Sequence, residues 1–166
     1  MTIRELSCTH SSCRTYKPDP VDRTLLLDLI ETARYAPNAF NAQMWRFFVA
    51  AEEQAKAVAK LFPNTWTSAC PAFIAIAVPE GSTVVKNRMH DFNAIDCGIV
   101  AAHLCLAASE RGLGSCILGS VDEDAICYLA HIPRGMRVHA VVAIGYPQGA
   151  DTPKDRKPIG ELVTFI

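Results

Sequence analysis

The chain has 166 residues, of which 50 % are hydrophobic and 20 % charged, and its formal net charge is −1. Such a composition excludes a disordered chain and is long enough for one compact domain with a sizeable core. The near-zero charge excludes broad attraction to nucleic acid or to an anionic membrane, so any anion site must be local.

The chain opens MTIRELSCTH, without an apolar signal segment. Its most apolar window, Ala94 to Ala108, is interrupted by Asp96 and His103 and is too short to span a bilayer. The seven cysteines are odd in number and scattered, several of them inside expected helices or strands. Reduced thiols and a cytoplasmic location follow, with no membrane partner and no nucleic-acid partner.

In chain order, Asp22 is placed to cap a helix whose apolar positions Leu25, Leu26, Leu29, Ile30 and Ala33 recur at three and four residues, ending before Pro37. Trp45 to Ala51 reads as a strand, Glu52 to Leu61 as a helix, and Ala72 to Val78 as a buried strand between Pro71 and Pro79. A long helix from about Phe92 to Arg111 is apolar nearly all round, which fits the centre of the core or a dimer interface. Ser115 to Leu118 gives a short strand, Asp122 to Ala130 a helix and Val138 to Gly145 another buried strand. The tail, about 147–166, carries Pro147, Pro153 and Pro158 and reads as extended. With no repeat or linker, the expectation is one α/β or α+β domain over 1–166, its strand order open.

The polar residues cluster around these elements. HSSCRTYKP places Ser11, Ser12 and Arg14 ahead of the first amphipathic helix, and PKDRKP places Lys154 and Arg156 on one side of an extended tail. A hydroxyl and cations converging there would suit a phosphate monoester. RGLGSCILGS is glycine-dense at a helix-to-strand turn, the reverse of the order a dinucleotide fingerprint requires. APNAFNAQMW, residues 36–45, sets amides beside an indole without a glycine.

Taken together, HSSCRTYKPDP, APNAFNAQMW, GLGSCILG, GYP and KDR resemble, in order and roughly in spacing, the motifs RxSxRxF…P, APSxxNxQPW, GLGxxxxG, GYP and KxR of the FMN-dependent nitroreductase family. The resemblance implies an α+β fold of the nitroreductase sandwich type. A central mixed sheet would be flanked by helices, with a long buried central helix, in a homodimer that builds two sites from both chains. It implies FMN as cofactor and NADH or NADPH as electron donor.

Carried over by motif, Ser12 with its neighbours His10 and Ser11 takes the phosphate-contacting place, and Lys154 and Arg156 the C-terminal phosphate pair. Arg14 matches the basic residue near the flavin N1–O2 edge. Leu118, Gly119 and Ser120 match the turn whose backbone N–H faces N5, and Pro37, Asn38, Ala39, Asn41 and Gln43 match the loop lying against the flavin, with Trp45 as its anchor in the core. Departures from the family pattern are His10 for Arg, Asn38 for Ser and Met44 for Pro. Pro79 to Asp91 is short where longer members insert helical elements over the active site, which implies an open pocket.

The implied chemistry is hydride transfer from NAD(P)H to flavin N5 and on to an electron-poor small molecule such as a nitroaromatic or quinone, with no catalytic side chain and no metal. Two rivals stand beside it. One is an FMN-binding or storage protein without turnover; the other is a metal or thiol-redox protein built on Cys8, His10 and Cys13 of CTHSSC.

Overall fold

The computed structural model describes residues 1–81, 92–149 and 154–166. Helix α1 (Ile3–Thr9) is closed at its start by a capping box: Glu5 N–H donates to the Thr2 hydroxyl, and Thr2 N–H donates to the Glu5 carboxylate at 2.7 Å. Helix α2 (Arg23–Ala33) begins at Asp22, whose carboxylate accepts the Thr24 N–H, and buries Leu26, Leu29 and Ala33. Strand β1 (Arg46–Ala51), helix α3 (Glu52–Ala59), strand β2 (Ala72–Pro79), helix α4 (Phe92–Glu110), strand β3 (Gly114–Leu118), helix α5 (Glu123–Leu129) and strand β4 (Met136–Gly145) follow. The tail contains one short 3₁₀ turn, Ile159–Glu161.

The sheet runs β1-β2-β4-β3. The fold is α+β as expected, but the sheet is antiparallel at every pairing rather than mixed. The physical reason is insertion. β2 and β3, joined through α4, run in the same direction, and β4 lies between them and hydrogen-bonds to both in the opposite sense. Among the described residues, one parallel contact exists, the single bridge between Ser12 and Ser115.

Both sheet faces are covered. Ala72, Ile74, Ile76 and Val78 of β2 and Ala140, Val142 and Ile144 of β4 pack with α2 and α4, while Phe73, Ala75 and Ala77 and Val141 and Ala143 pack with α3 and α5. That is why these two strands read as continuous apolar runs instead of alternating ones. Each large side chain so buried contributes roughly 1.5–3 kcal/mol.

The long central helix is only partly covered. Leu104, Val100 and Cys97 are buried, as are Asn93 and Asp96, yet Ala94, Ile95, Gly98 and Ala102 form an exposed apolar stripe. By length and composition α4 could cross a bilayer, so the shorter window read from the sequence understated it; half of its most apolar window is instead buried within the fold.

Candidate functional site

The segment after α1 is drawn onto the edge strand β3. Cys13 N–H donates to the Ser115 carbonyl at 2.9 Å, and buried Tyr16 bridges to Pro147 while its hydroxyl donates to the Cys13 carbonyl at 2.9 Å. The approach is close enough to demand glycine at 114. A Cβ there would lie 2.6 Å from the Cys13 sulfur.

Against this corner stand several residues selected from the sequence. His10 Nδ1 is 3.2 Å from the Ser109 hydroxyl on α4. Lys154, half-buried, reaches the Ser7 carbonyl at the end of α1 at 3.5 Å. Ser11 is half-buried and Ser12 exposed, with Arg14 extended beside the Ser12 carbonyl at 3.4 Å.

The thiols beneath report the same convergence. Burial raises Cys116, against which the nearby Arg14 guanidinium and a hydrogen bond with the Ser12 hydroxyl act in the lowering direction. Burial likewise pushes Cys105 up to about 11, opposed by Ser115 and by the Lys154 ammonium. Ser115 Oγ is fully buried without a hydrogen bond of ordinary geometry, since a thiol is a weak partner. Arg14, Lys154 and Arg156 pair with no carboxylate among the described residues. Cations not committed to carboxylates are available to an anion.

Arg156 departs from this group. It is exposed, and its guanidinium donates to the Asp155 carbonyl at 3.2 Å, its one hydrogen bond among the described residues. Cys8, His10 and Cys13 also diverge: Cys8 is exposed, His10 meets Ser109, and the Cys13 thiol donates to the Thr15 carbonyl.

The amide loop occupies another part of α4. Phe40, Asn41 and Gln43 have φ of 54°, 53° and 48°, left-handed values at three non-glycine residues within four positions. Such conformations cost of order 1–3 kcal/mol each and persist where surrounding contacts impose them.

Three contacts impose them here. Ala39 N–H donates to both Asp96 carboxylate oxygens, at 3.1 and 3.2 Å; Gln43 N–H donates to Asn38 Oδ1 at 2.9 Å; and Trp45, 6 % exposed, is sunk in the core beneath α2 and α4. Asn41 and Gln43 face solvent, and so does Pro37. The N–H of Ala39 is directed inward to Asp96.

At the exit of β3, Gly119 and Ser120 are exposed, while the Leu118 side chain packs on the α3/α5 side of the sheet, away from α4. Residues 82–91, most of the segment expected to leave the pocket open, lie outside the described residues.

The sequence motif of the Nitroreductase family matches residues 9–69 and 59–146. The chain belongs to the nitroreductase family. Among its relatives is YfhC of Bacillus subtilis, whose name assigns it provisionally as an NAD(P)H nitroreductase; the two are 29 % identical over 98 % of this chain and 93 % of that one. A nitroreductase family protein from Clostridium difficile 630 superposes with a TM-score of 0.82 at 26 % identity, covering 99 % of this chain and 98 % of that one. One from Streptococcus pneumoniae superposes at 0.87 with 23 % identity, over 99 % of this chain and all of that one, a likeness of fold.

Within this nitroreductase fold the sequence reading overlooked Asp96, Ser109, Ser115 and Cys116. Asp96 carried a signal: a carboxylate inside a helix otherwise apolar is seldom buried without a dedicated partner. Ser109, Ser115 and Cys116 carry no such signal, because their partners His10, Cys13 and Ser12 lie about a hundred residues away in the chain.

Proposed function

We propose that the chain is an FMN-dependent oxidoreductase, acting with NADH or NADPH on electron-poor small molecules such as quinones or nitroaromatics. The observation that carries this reading is the corner between α1, β3 and α4, where Arg14 donates to the Ser12 carbonyl and Lys154 to the Ser7 carbonyl, neither paired with a carboxylate among the described residues. That donor set fits a phosphate monoester: Ser12 and Lys154 would hold it, with His10 and Ser11 alongside, and Arg156 would add charge from the flexible end of its side chain. Bound FMN would supply the two-electron chemistry, its N5 accepting hydride from NAD(P)H and passing it to the acceptor.

The chain's own residues bind and orient. Arg14 would lie at the N1–O2 edge, where its fixed charge favours the more negative form of the ring. Backbone N–H groups at Gly119 and Ser120 would face N5, and Asn41 and Gln43 offer donors and acceptors to a heteroaromatic edge. No side chain of this set is assigned a proton transfer; their part is to bind and orient the ring.

A homodimer is part of the proposal. Asp96, which holds the loop, precedes Cys105 and Ser109 by nine and thirteen positions, about 14–20 Å along α4 at 1.5 Å per residue. Two copies packed antiparallel over the exposed stripe of Ala94, Gly98 and Ala102 would set the loop of one beside the cations of the other. The tail supports the same assembly, since Ile159, Leu162, Phe165 and Ile166 are exposed apolar residues with little cover in a single chain. We place residues 1–166 in one flavin-binding domain, and the seven free cysteines in a reducing, cytoplasmic setting.

The test is NAD(P)H oxidation by FMN-loaded protein with a quinone or a nitroaromatic. Turnover that depends on both FMN and acceptor is expected; tight FMN binding without NAD(P)H oxidation would make the protein a flavin carrier instead.

A further inference from the structure

Asp96 is the one acidic residue of α4 that is buried, 7 % exposed, and it receives a backbone N–H on both of its oxygens. The N–H belongs to Ala39, the first residue of the turn in which Phe40, Asn41 and Gln43 hold left-handed backbone. A desolvated carboxylate accepts an amide more strongly than a neutral oxygen would, and Asp96 lies on the face of α4 that packs in the core with Cys97, Val100 and Leu104. Asn38 accepts Gln43 N–H at 2.9 Å and donates to the Ala36 carbonyl at 3.3 Å, contacts that close the turn on its own neighbours but do not reach α4. The Asp96 carboxylate makes that link.

We propose that Asp96 is a positioning residue whose carboxylate, by holding Ala39 N–H, fixes the strained turn 38–43 so that Asn41 and Gln43 meet the flavin in one orientation. The inference rests on the reading of the site as an FMN site. It assigns Asp96 no contact with cofactor or substrate. Its effect travels through one hydrogen-bonded amide, so the consequence of losing it is a loop that samples other backbone conformations and a flavin edge whose partners are no longer preset.

The experiment compares the parent with Asp96→Ala and Asp96→Asn by three readouts: the FMN dissociation constant, the rate of flavin reduction by NAD(P)H, and amide hydrogen exchange at Ala39. Asp96→Ala should weaken FMN by about tenfold or more, slow reduction and expose the Ala39 amide to exchange. Asp96→Asn keeps an acceptor without the charge and should fall between the two, recovering part of the affinity and of the protection. This partial rescue is what a role in packing alone would not give, and if Asp96→Ala fails to fold, Asp96→Asn carries the test. Parent-like FMN affinity and reduction rate in Asp96→Asn, or lowered melting temperature with unchanged flavin binding in either variant, overturns the positioning role. A parent protein that binds no FMN overturns the flavin reading itself, and the inference with it.

Discussion

Gly114 and Cys13 lie so close that the strand and the N-terminal segment share the space a single methyl group would fill, with a Cβ at 114 only 2.6 Å from the thiol sulfur and 2.7 Å from Cys13 Cβ. This contact sets where Ser12 and Arg14 stand. Gly114→Ala should push the segment off β3, with an overpacking cost of about 1–3 kcal/mol and a clear loss of FMN affinity. Thermal melting and FMN titration check it. Parent-like values for both would show that the segment adjusts freely and that its seat on β3 does not matter.

The two tail cations are expected to contribute unequally. Lys154 reaches α1 and acts on Cys105, whereas among the described residues Arg156 donates to the backbone of Asp155 alone. Lys154→Gln should weaken FMN by roughly ten- to a hundredfold, as the loss of a charge-assisted contact of about 1.5–3 kcal/mol implies, and Arg156→Gln by less. Riboflavin, which lacks the phosphate, should bind both variants as it binds the parent. Equal losses for the two flavins would assign the tail to folding.

Arg14 is expected to tune the flavin more than to bind it. Its guanidinium is exposed and free of carboxylates among the described residues, so its charge is available to a ring that gains negative charge on reduction. Arg14→Gln should lower the two-electron midpoint potential and slow reduction by NAD(P)H, with a smaller change in affinity for oxidised FMN. A redox titration against the parent decides, with melting run alongside. An unchanged potential together with a large drop in melting temperature would make Arg14 a structural residue.

Much of this fold is legible in the sequence because local and global signals agree. Asp22 caps α2 where the apolar period begins, and β2 and β4 read as unbroken apolar runs because both faces of each are covered. Helix α1 is not evident from periodicity, since it buries only Leu6, although its Thr2-x-x-Glu5 capping box is written in the sequence. The antiparallel sheet is hidden because strand order depends on β4 entering between β2 and β3, a tertiary event with no local signature. Of the proposed site, Ser12, Arg14 and Lys154 are evident in the sequence as a hydroxyl and cations flanking the expected elements. The support for the amide loop is not, because Asp96 lies 57 residues from the Ala39 amide it accepts.

The exposed stripe of α4 gives a test of assembly that spares the isolated fold. A Cβ at Gly98 would meet nothing within 4 Å in the single chain, so Gly98→Glu leaves internal packing intact while setting a charge in the stripe. The expected result is a folded monomer by light scattering and circular dichroism, with FMN binding much reduced, as the proposal of a site built from two copies requires. A dimer that persists, or a monomer that still binds FMN tightly, would place the association surface or the site elsewhere.

The central claim, that this corner of cations and hydroxyl holds FMN for electron transfer, is tested most directly by an anaerobic titration of the FMN-reconstituted protein with NAD(P)H, followed by addition of a quinone. The account predicts about one FMN bound per chain, bleaching of the flavin absorbance by NAD(P)H, and its return when the quinone is added. Protein that takes up no flavin from excess FMN, or a bound flavin that NAD(P)H leaves oxidised, would contradict it.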